Sequence, residues 1–183
     1  LSNPQLDAAT TLTVQRDVSK GYYQLAELKR RENSEHSVAK SEHYLNLALT
    51  SLQAMQHANG NWDNINEDDH LQAIRLLTMR LSHWTAARIR NLTTGLDPTE
   101  DLRQGAKHIA QLSNVTDRPA VTSSILQFQQ ARLEIINLGK DRGQLHSVLS
   151  DISLLLDSHR QQPVVAKLLP NFRWNSLNLL SQH

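Results

Sequence analysis

The clearest helical signal in the chain runs over residues 66–95, where apolar side chains recur in steps of three or four. These positions are Leu71, Ile74, Leu77, Leu81, Trp84 and Leu92, with Arg88 standing where another apolar residue is due. The period predicts one long amphipathic helix with a single apolar stripe. Asn66 is a suitable N-cap, and Gly95 suits the left-handed residue that follows a helix. A helix this long needs neighbours of similar length to cover its stripe.

Comparable stripes predict five further helices, at about residues 4–31, 34–58, 97–113, 119–139 and 141–160, with a final short helix at 171–180. The first helix is expected to bury Val14, Val18, Leu25 and Leu28, which share one face. Two glycines within five residues, Gly139 and Gly143, favour a break between the fifth and sixth helices over one continuous helix. These two helices are therefore predicted to form a hairpin.

The predicted fold class is an all-α antiparallel bundle of about six helices, in which helices one to three are long. The 183 residues suit a single domain over residues 1–183, with sub-bundles 1–95 and 96–183 as a subdivision. Only six Gly and five Pro are present, too few for a turn-rich β protein. A hydrophobic content of 39% fits a folded chain rather than a disordered one.

Charge and cysteine content narrow the function classes. A net charge of +1 does not favour nucleic acid or an anionic membrane as partner. The arginines of the long helix (Arg75, Arg80, Arg88 and Arg90) are spread around its axis instead of forming a phosphate-binding stripe. The absence of cysteine excludes disulfides, thiolate zinc sites and cysteine nucleophiles. No catalytic motif occurs, so we expect a non-catalytic domain without a cofactor.

A repeated Ser-Glu-His triplet places His36 and His43 seven residues apart on the second helix. Two turns separate them by about 10 Å along the axis, whereas two ligands of one metal on a helix sit three or four residues apart. A solvated polar face is favoured over a zinc or di-iron site, and no metal is predicted.

The candidate site residues are polar groups on or beside apolar stripes. Arg88, Trp84 and His83 are interpreted as a pocket for a small anion, because a guanidinium grips carboxylate or phosphate through two bonds. Arg132 flanks the stripe of the fifth helix, and Arg142 begins the sixth helix; both are further candidates. The simpler interpretation, which the sequence favours, is that these arginines pack their stems against the bundle while the charged heads remain in water.

Long helices joined by short turns, the lack of cysteine and the inward arginines resemble the periplasmic helical-bundle sensor domains of bacterial chemoreceptors and sensor kinases. The segment Leu138-Gly-Lys-Asp-Arg-Gly is loosely similar to a Leu-x-x-x-Arg-Gly stretch in some of these domains. The chain begins Leu-Ser-Asn-Pro, which is expected of a fragment or mature form. The resemblance implies ligand sensing, a homodimer, an extracytoplasmic location and membrane attachment only through flanking segments. It also predicts that Leu1 and His183 lie at the same end of the bundle.

A scaffold of stacked helical hairpins that binds another protein is the competing interpretation, and it would suit a cytoplasmic location. Residues 39–52 and 135–152 are loosely similar to tetratricopeptide repeat spacing, although no clean 34-residue period is present. An enzyme whose residues converge only in three dimensions ranks behind both.

Overall fold

The computed structural model describes residues 8–32, 34–58, 66–112, 114, 117–139, 142–159, 161–163 and 165–167. Within these ranges the chain is helical and contains no strand, which confirms the predicted all-α bundle. The helices are α1 (Ala8–Glu32), α2 (Glu35–Ala58), α3 (Glu67–Ile89), α4 (Pro98–Gln111), α5 (Pro119–Gly139) and α6 (Arg142–Ser158).

The central element is α3, which packs against α1, α2, α4 and α5. The predicted stripe of Leu71, Ile74, Leu77 and Leu81 is buried against α4 and α5. A second buried face, formed by Ala73, Leu76 and Met79, packs against α1 and α2. The prediction of a single stripe is therefore wrong, because a helix with partners on both sides buries two faces.

The start of α3 is as predicted, but its end is not. The Asn66 side chain accepts a hydrogen bond from the Asp69 backbone N–H at 3.0 Å and caps the helix. The helix ends at Ile89, and Asn91, with φ of 57°, takes the left-handed position predicted for Gly95. The Leu92 N–H bonds the Ala87 carbonyl and the Asn91 N–H bonds the Arg88 carbonyl, which is a Schellman motif.

The helices α1 and α2 form a tight hairpin, in which α1 contacts α2 through the face opposite its apolar stripe. The prediction that this stripe is buried is therefore wrong. Small side chains line the contact, where the Ser19 hydroxyl donates to the Ala48 carbonyl at 3.1 Å and the Ser41 hydroxyl to the Ala26 carbonyl at 3.0 Å. The opposite face of α1 carries the apolar stripe expected in the core, and it is exposed by 38–56% at Val14, Val18, Leu25 and Leu28.

An ion pair between α1 and α3 explains the orientation of α1. The Arg16 guanidinium donates two hydrogen bonds, of 2.6 and 2.7 Å, to the carboxylate of Asp69, which is buried at the start of α3. Arg16 lies on the same face as Ser19 and Ala26, so pairing it with Asp69 turns the stripe outward. In this fold, close backbone contact and a bidentate ion pair therefore contribute more to folding free energy than burial of the four larger apolar residues would.

The second half of the bundle packs α4, α5 and α6 beside α3. Asp97 caps α4 by accepting the Thr99 N–H at 2.9 Å, and Gly105 of α4 lies directly against the ring of buried Phe128. The break after Gly139 is confirmed, and α5 packs against α6. Their shared core also includes Val165.

Several predictions concern residues outside the described ranges. They include the start of the first helix before Ala8, the final short helix at 171–180 and the positions of Leu1 and His183. Among the residues that are described, no helix has both the length and the apolar character required to cross a bilayer.

Candidate functional site

The connection between α3 and α4, residues 90–97, is held in place by a glutamate of α2. The Glu42 carboxylate accepts hydrogen bonds from the Thr94 hydroxyl at 2.8 Å and from the Gly95 N–H at 2.9 Å. A Cβ at Gly95 would lie 2.9 Å from a Glu42 oxygen, so the absence of a side chain permits this close approach. Glu42 therefore fixes the position of this loop relative to α2.

A cavity of about 310 Å³ lies between this loop and the last two turns of α3. We call it the loop cavity; it is lined by Trp84, Arg88, Asn91, Leu92, Thr93 and Thr94. Trp84 is half-buried, Arg88 is exposed, and the two lie one turn apart on the same face of α3. The structure thus brings together two of the three residues predicted to hold an anion.

Arg88 has no ion-pair or hydrogen-bond partner among the described side chains. The Schellman motif engages the carbonyls of Ala87 and Arg88, which weakens the partial negative charge at the end of the helix. The Arg88 guanidinium, the Asn91 side-chain amide and the Thr93 hydroxyl are donors that can bind a small carboxylate or phosphate, whereas the Thr94 hydroxyl already donates to Glu42.

The third predicted member, His83, does not line the loop cavity. It is buried, and its Nε2 atom has no hydrogen-bond partner among the described residues. Burial lowers the pKa of His83, and the nearby guanidiniums of Arg30 and Arg90 act in the same direction, whereas Glu42 opposes them. His83 therefore remains a neutral imidazole beneath the loop and is not a ligand contact.

The other two candidates lie away from this loop. Arg132, on α5, lines a separate cavity between α4, α5 and α6, where its guanidinium is 3.4 Å from the Asp151 carboxylate. Arg142 begins α6 as expected, but its side chain lies outside the described residues. The five predicted residues therefore do not form one site. Trp84 and Arg88 line the loop cavity, whereas Arg132 lines the cavity between α4, α5 and α6.

On the other side of the loop, a groove of about 570 Å³ runs along α2. Its lining includes Glu42, His43 and Asn46 of α2 and residues 92–95 of the loop. Residues 92–94 line both this groove and the loop cavity. His36 and His43 are exposed, and within the described ranges no group of three or more potential metal ligands occurs.

A buried polar network crosses the bundle behind this groove. The Arg80 guanidinium donates to the Asp101 carboxylate at 2.9 Å and to the Asn46 side-chain carbonyl at 2.8 Å, joining α3 to α4 and α2. Burial raises the pKa of Asp101, and Arg80 opposes that shift. The sequence places Arg80 among dispersed surface arginines, and no local pattern pairs it with an acid 21 positions later.

Two buried histidines, His70 of α3 and His108 of α4, also meet in the bundle. Their Nδ1 atoms are 2.9 Å apart, so one ring donates its proton and the other accepts it as a neutral imidazole. Burial lowers the pKa of His108 from its usual 6.5 to about 4, with smaller contributions from His70 and Lys107. The two histidines are 38 positions apart in the sequence, so no local motif predicted this pair.

The histidine pair is expected to make folding stability pH-dependent. Since the pKa of His108 is lower in the folded chain, the unfolded chain binds more protons between pH 6.5 and 4, and stability is lost as the pH falls through that window. We expect the free energy of unfolding to fall by about 2 kcal/mol from pH 7 to pH 5. Urea denaturation at both pH values measures it. His108→Gln should flatten the dependence, and an unchanged slope would contradict this assignment.

Comparisons with known proteins assign no family. No protein-family profile matches the chain, and searches of curated proteins and of solved structures return no significant match.

Proposed function

We propose that this chain is a ligand-sensing helical-bundle domain of a bacterial membrane receptor, and that it binds a small anion in the loop cavity. The observation that carries the proposal is the unpaired Arg88 guanidinium, which lines one cavity together with Trp84, Asn91 and Thr93. A volume of about 310 Å³ suits a small metabolite, because it lies at the lower end of ligand pockets.

The loop that borders the cavity offers a route for a signal. Glu42 ties the loop to α2, and Asn46, one turn further on, contacts Arg80 in the buried network. An anion that draws Arg88 toward the loop would favour one position of residues 90–97, and Glu42 would pass that preference to the α1–α2 hairpin. A ligand shifts such an equilibrium only by its difference in affinity for the two positions.

The test is anion binding by the whole chain and by two arginine variants. Thermal unfolding with acetate, succinate, citrate and inorganic phosphate identifies the ligand class, and calorimetry then gives the Kd. We expect at least one carboxylate to stabilise the chain and Arg88→Ala to weaken its binding about 10-fold or more, since a charge-assisted hydrogen bond contributes roughly 1.5–3 kcal/mol. Arg88→Lys should bind with intermediate affinity because it loses the planar fork.

Arg90→Ala is the matched control, because Arg90 is an exposed arginine two residues further on that does not line the cavity. It should retain binding. The proposal fails if no anion binds the unmodified chain at millimolar concentration, or if both alanine variants lose affinity equally, which would indicate general charge attraction.

The second candidate function is a helical-hairpin scaffold, and the exposed stripe on α1 favours it. Val14, Val18, Leu25 and Leu28 recur at heptad-like spacing, and a Cβ at Gly21 between them would meet nothing within 4 Å. Such a stripe suits a helix of another protein, or of a second copy as the sensor interpretation implies. Failure of every anion to bind would favour the scaffold, which needs no small ligand.

A further inference from the structure

One face of α1 points away from the bundle and carries a row of apolar side chains. Seven large apolar side chains are exposed in the described part of the chain, and four of them lie on this face, at Val14, Val18, Leu25 and Leu28. At about 100° per residue, these four fall within about 80° of one another around the helix axis. We call them, together with Gly21 between them, the α1 stripe. Single exposed apolar residues are common on monomers, whereas a contiguous row marks an interaction surface.

The spacing of the α1 stripe suits a second helix. Its positions follow one another in steps of four, three, four and three residues, which is the a and d spacing of a coiled coil. From Val14 to Leu28 the stripe is about 21 Å long. Because α2 and α3 pack on the other sides of α1, a helix laid on the stripe displaces neither of them.

The polar flank of the stripe is complementary to itself. Asp17, Gln24 and Arg31 follow one another seven residues apart on one side of the stripe, and all three are exposed. Asp17 forms no ion pair among the described residues, and Arg31 is 72% exposed, with one 3.3 Å contact to Glu27. In an antiparallel pair of α1 helices this flank meets its own copy, so that each Asp17 faces the Arg31 of the other chain.

The shape of the stripe selects the same arrangement. In that antiparallel register Leu25 of one copy lies against Gly21 of the other, and Leu28 lies against Val18. Nothing inside the chain fills the space beside Gly21, since a Cβ there would meet no atom within 4 Å. A parallel pair would place Gly21 against Gly21 and leave a void, which close packing disfavours. It would also bring Asp17 beside an uncharged tyrosine instead of an arginine.

We propose that α1 pairs with α1 of a second copy of this chain as an antiparallel two-helix coiled coil, centred at the level of Tyr23. A contact of one helix pair is at the small end of specific interfaces, so we expect a Kd on the order of 10–100 µM. The contact goes beyond the proposed anion site, because no residue of the loop cavity takes part in it.

Sedimentation of the whole chain from about 5 to 200 µM tests the contact. The parent chain should pass from monomer to dimer over this range, and Leu25→Glu should weaken dimerisation about 10-fold or more because it places a carboxylate in the stripe. Leu154→Glu is the matched control: Leu154 of α6 is also an exposed leucine, at 65%, but lies off the stripe. A parent chain that stays monomeric, or equal losses in the two variants, would overturn the proposal.

Charge exchange tests the register. Asp17→Arg should weaken dimerisation about 5-fold at low salt, because two exposed ion pairs become two repulsions. The double variant Asp17→Arg/Arg31→Asp restores opposite charges across the pair and should recover the parent Kd. Thermal unfolding checks that both variants fold. A double variant as weak as the single one would contradict the antiparallel register.

A single cysteine tests the orientation, because the sequence contains none. With Gln24→Cys the two introduced thiols lie beside the two-fold axis of an antiparallel pair and should cross-link on oxidation, whereas a parallel pair holds them on opposite sides of the stripe. Leu154→Cys is the control for random collision. Cross-linking no faster than in this control would refute the antiparallel pair. Anion binding at Arg88 is measured separately, so its failure leaves the dimer standing, and loss of the dimer leaves the anion site standing.

Discussion

Arg80→Met is expected to lower the free energy of unfolding by about 3–5 kcal/mol at pH 7, because it leaves a buried carboxylate without its cation. Arg80 and Asp101 are 8% and 2% exposed, and the same guanidinium also satisfies the Asn46 carbonyl oxygen. Methionine replaces the stem but none of the donors. Urea denaturation followed by circular dichroism gives the change.

Two further measurements distinguish the lost ion pair from general damage. Burial already raises the pKa of Asp101, and removing Arg80 raises it further, so the variant should recover stability relative to the parent as the pH approaches 4 and Asp101 becomes neutral. The double variant Arg80→Met/Asp101→Leu should recover most of the lost stability at pH 7.

Arg103→Met is the control. It removes an exposed ion pair with Glu100, so little change in the free energy of unfolding is expected. A loss at Arg80 no larger than at Arg103 would contradict the argument.

Gly105→Ala is expected to destabilise the fold by about 3 kcal/mol, although helix propensity alone favours alanine by about 1 kcal/mol. A Cβ at this position would lie 2.0 and 2.2 Å from two ring carbons of Phe128, which is fully packed in the core. The ring and α4 cannot both keep their positions, so either the ring turns toward the cavity between α4, α5 and α6 or α4 moves away from α5. Thermal or urea unfolding measures the effect, whose sign distinguishes packing from propensity.

Gly21→Ala is the matched control, since a Cβ there would meet nothing within 4 Å and α1 is helical on both sides. It should stabilise the chain by about 0.5–1 kcal/mol. Phe128→Leu costs stability by itself, but adding Gly105→Ala to that background should cost much less than in the parent chain. Equal costs in both backgrounds would show that Phe128 is not the residue that requires glycine.

The helices themselves were largely predictable because their signals are local. The apolar period, the Asn66 cap and Gly139 at a break each act within a few residues, so α3, α4, α5 and the α5–α6 break were anticipated. The end of α3 was misplaced because asparagine also adopts the left-handed conformation, and Asn91 occurs before Gly95.

Part of the candidate site was also predictable. Trp84 and Arg88 lie four residues apart on one helix, so their shared face follows from helical geometry. Whether they share a cavity depends on the position of the loop between α3 and α4. Glu42 of α2 holds that loop through Thr94 and Gly95, which are 52 and 53 positions away in the sequence. Arg132 was recognised as a polar residue beside an apolar stripe, but its contact with Asp151 of α6 depends on how α5 and α6 pack.

An all-helical chain with a long central rod follows from the order of residues alone, because turns, caps and period are encoded within each segment. Which face of each rod is covered does not follow from that order. Four large apolar side chains of α1 were expected inside and lie outside, since small residues and the Arg16–Asp69 pair set its rotation. The Arg80–Asp101 and His70–His108 pairs likewise arise only when distant helices meet, and burial then gives those contacts their energetic weight.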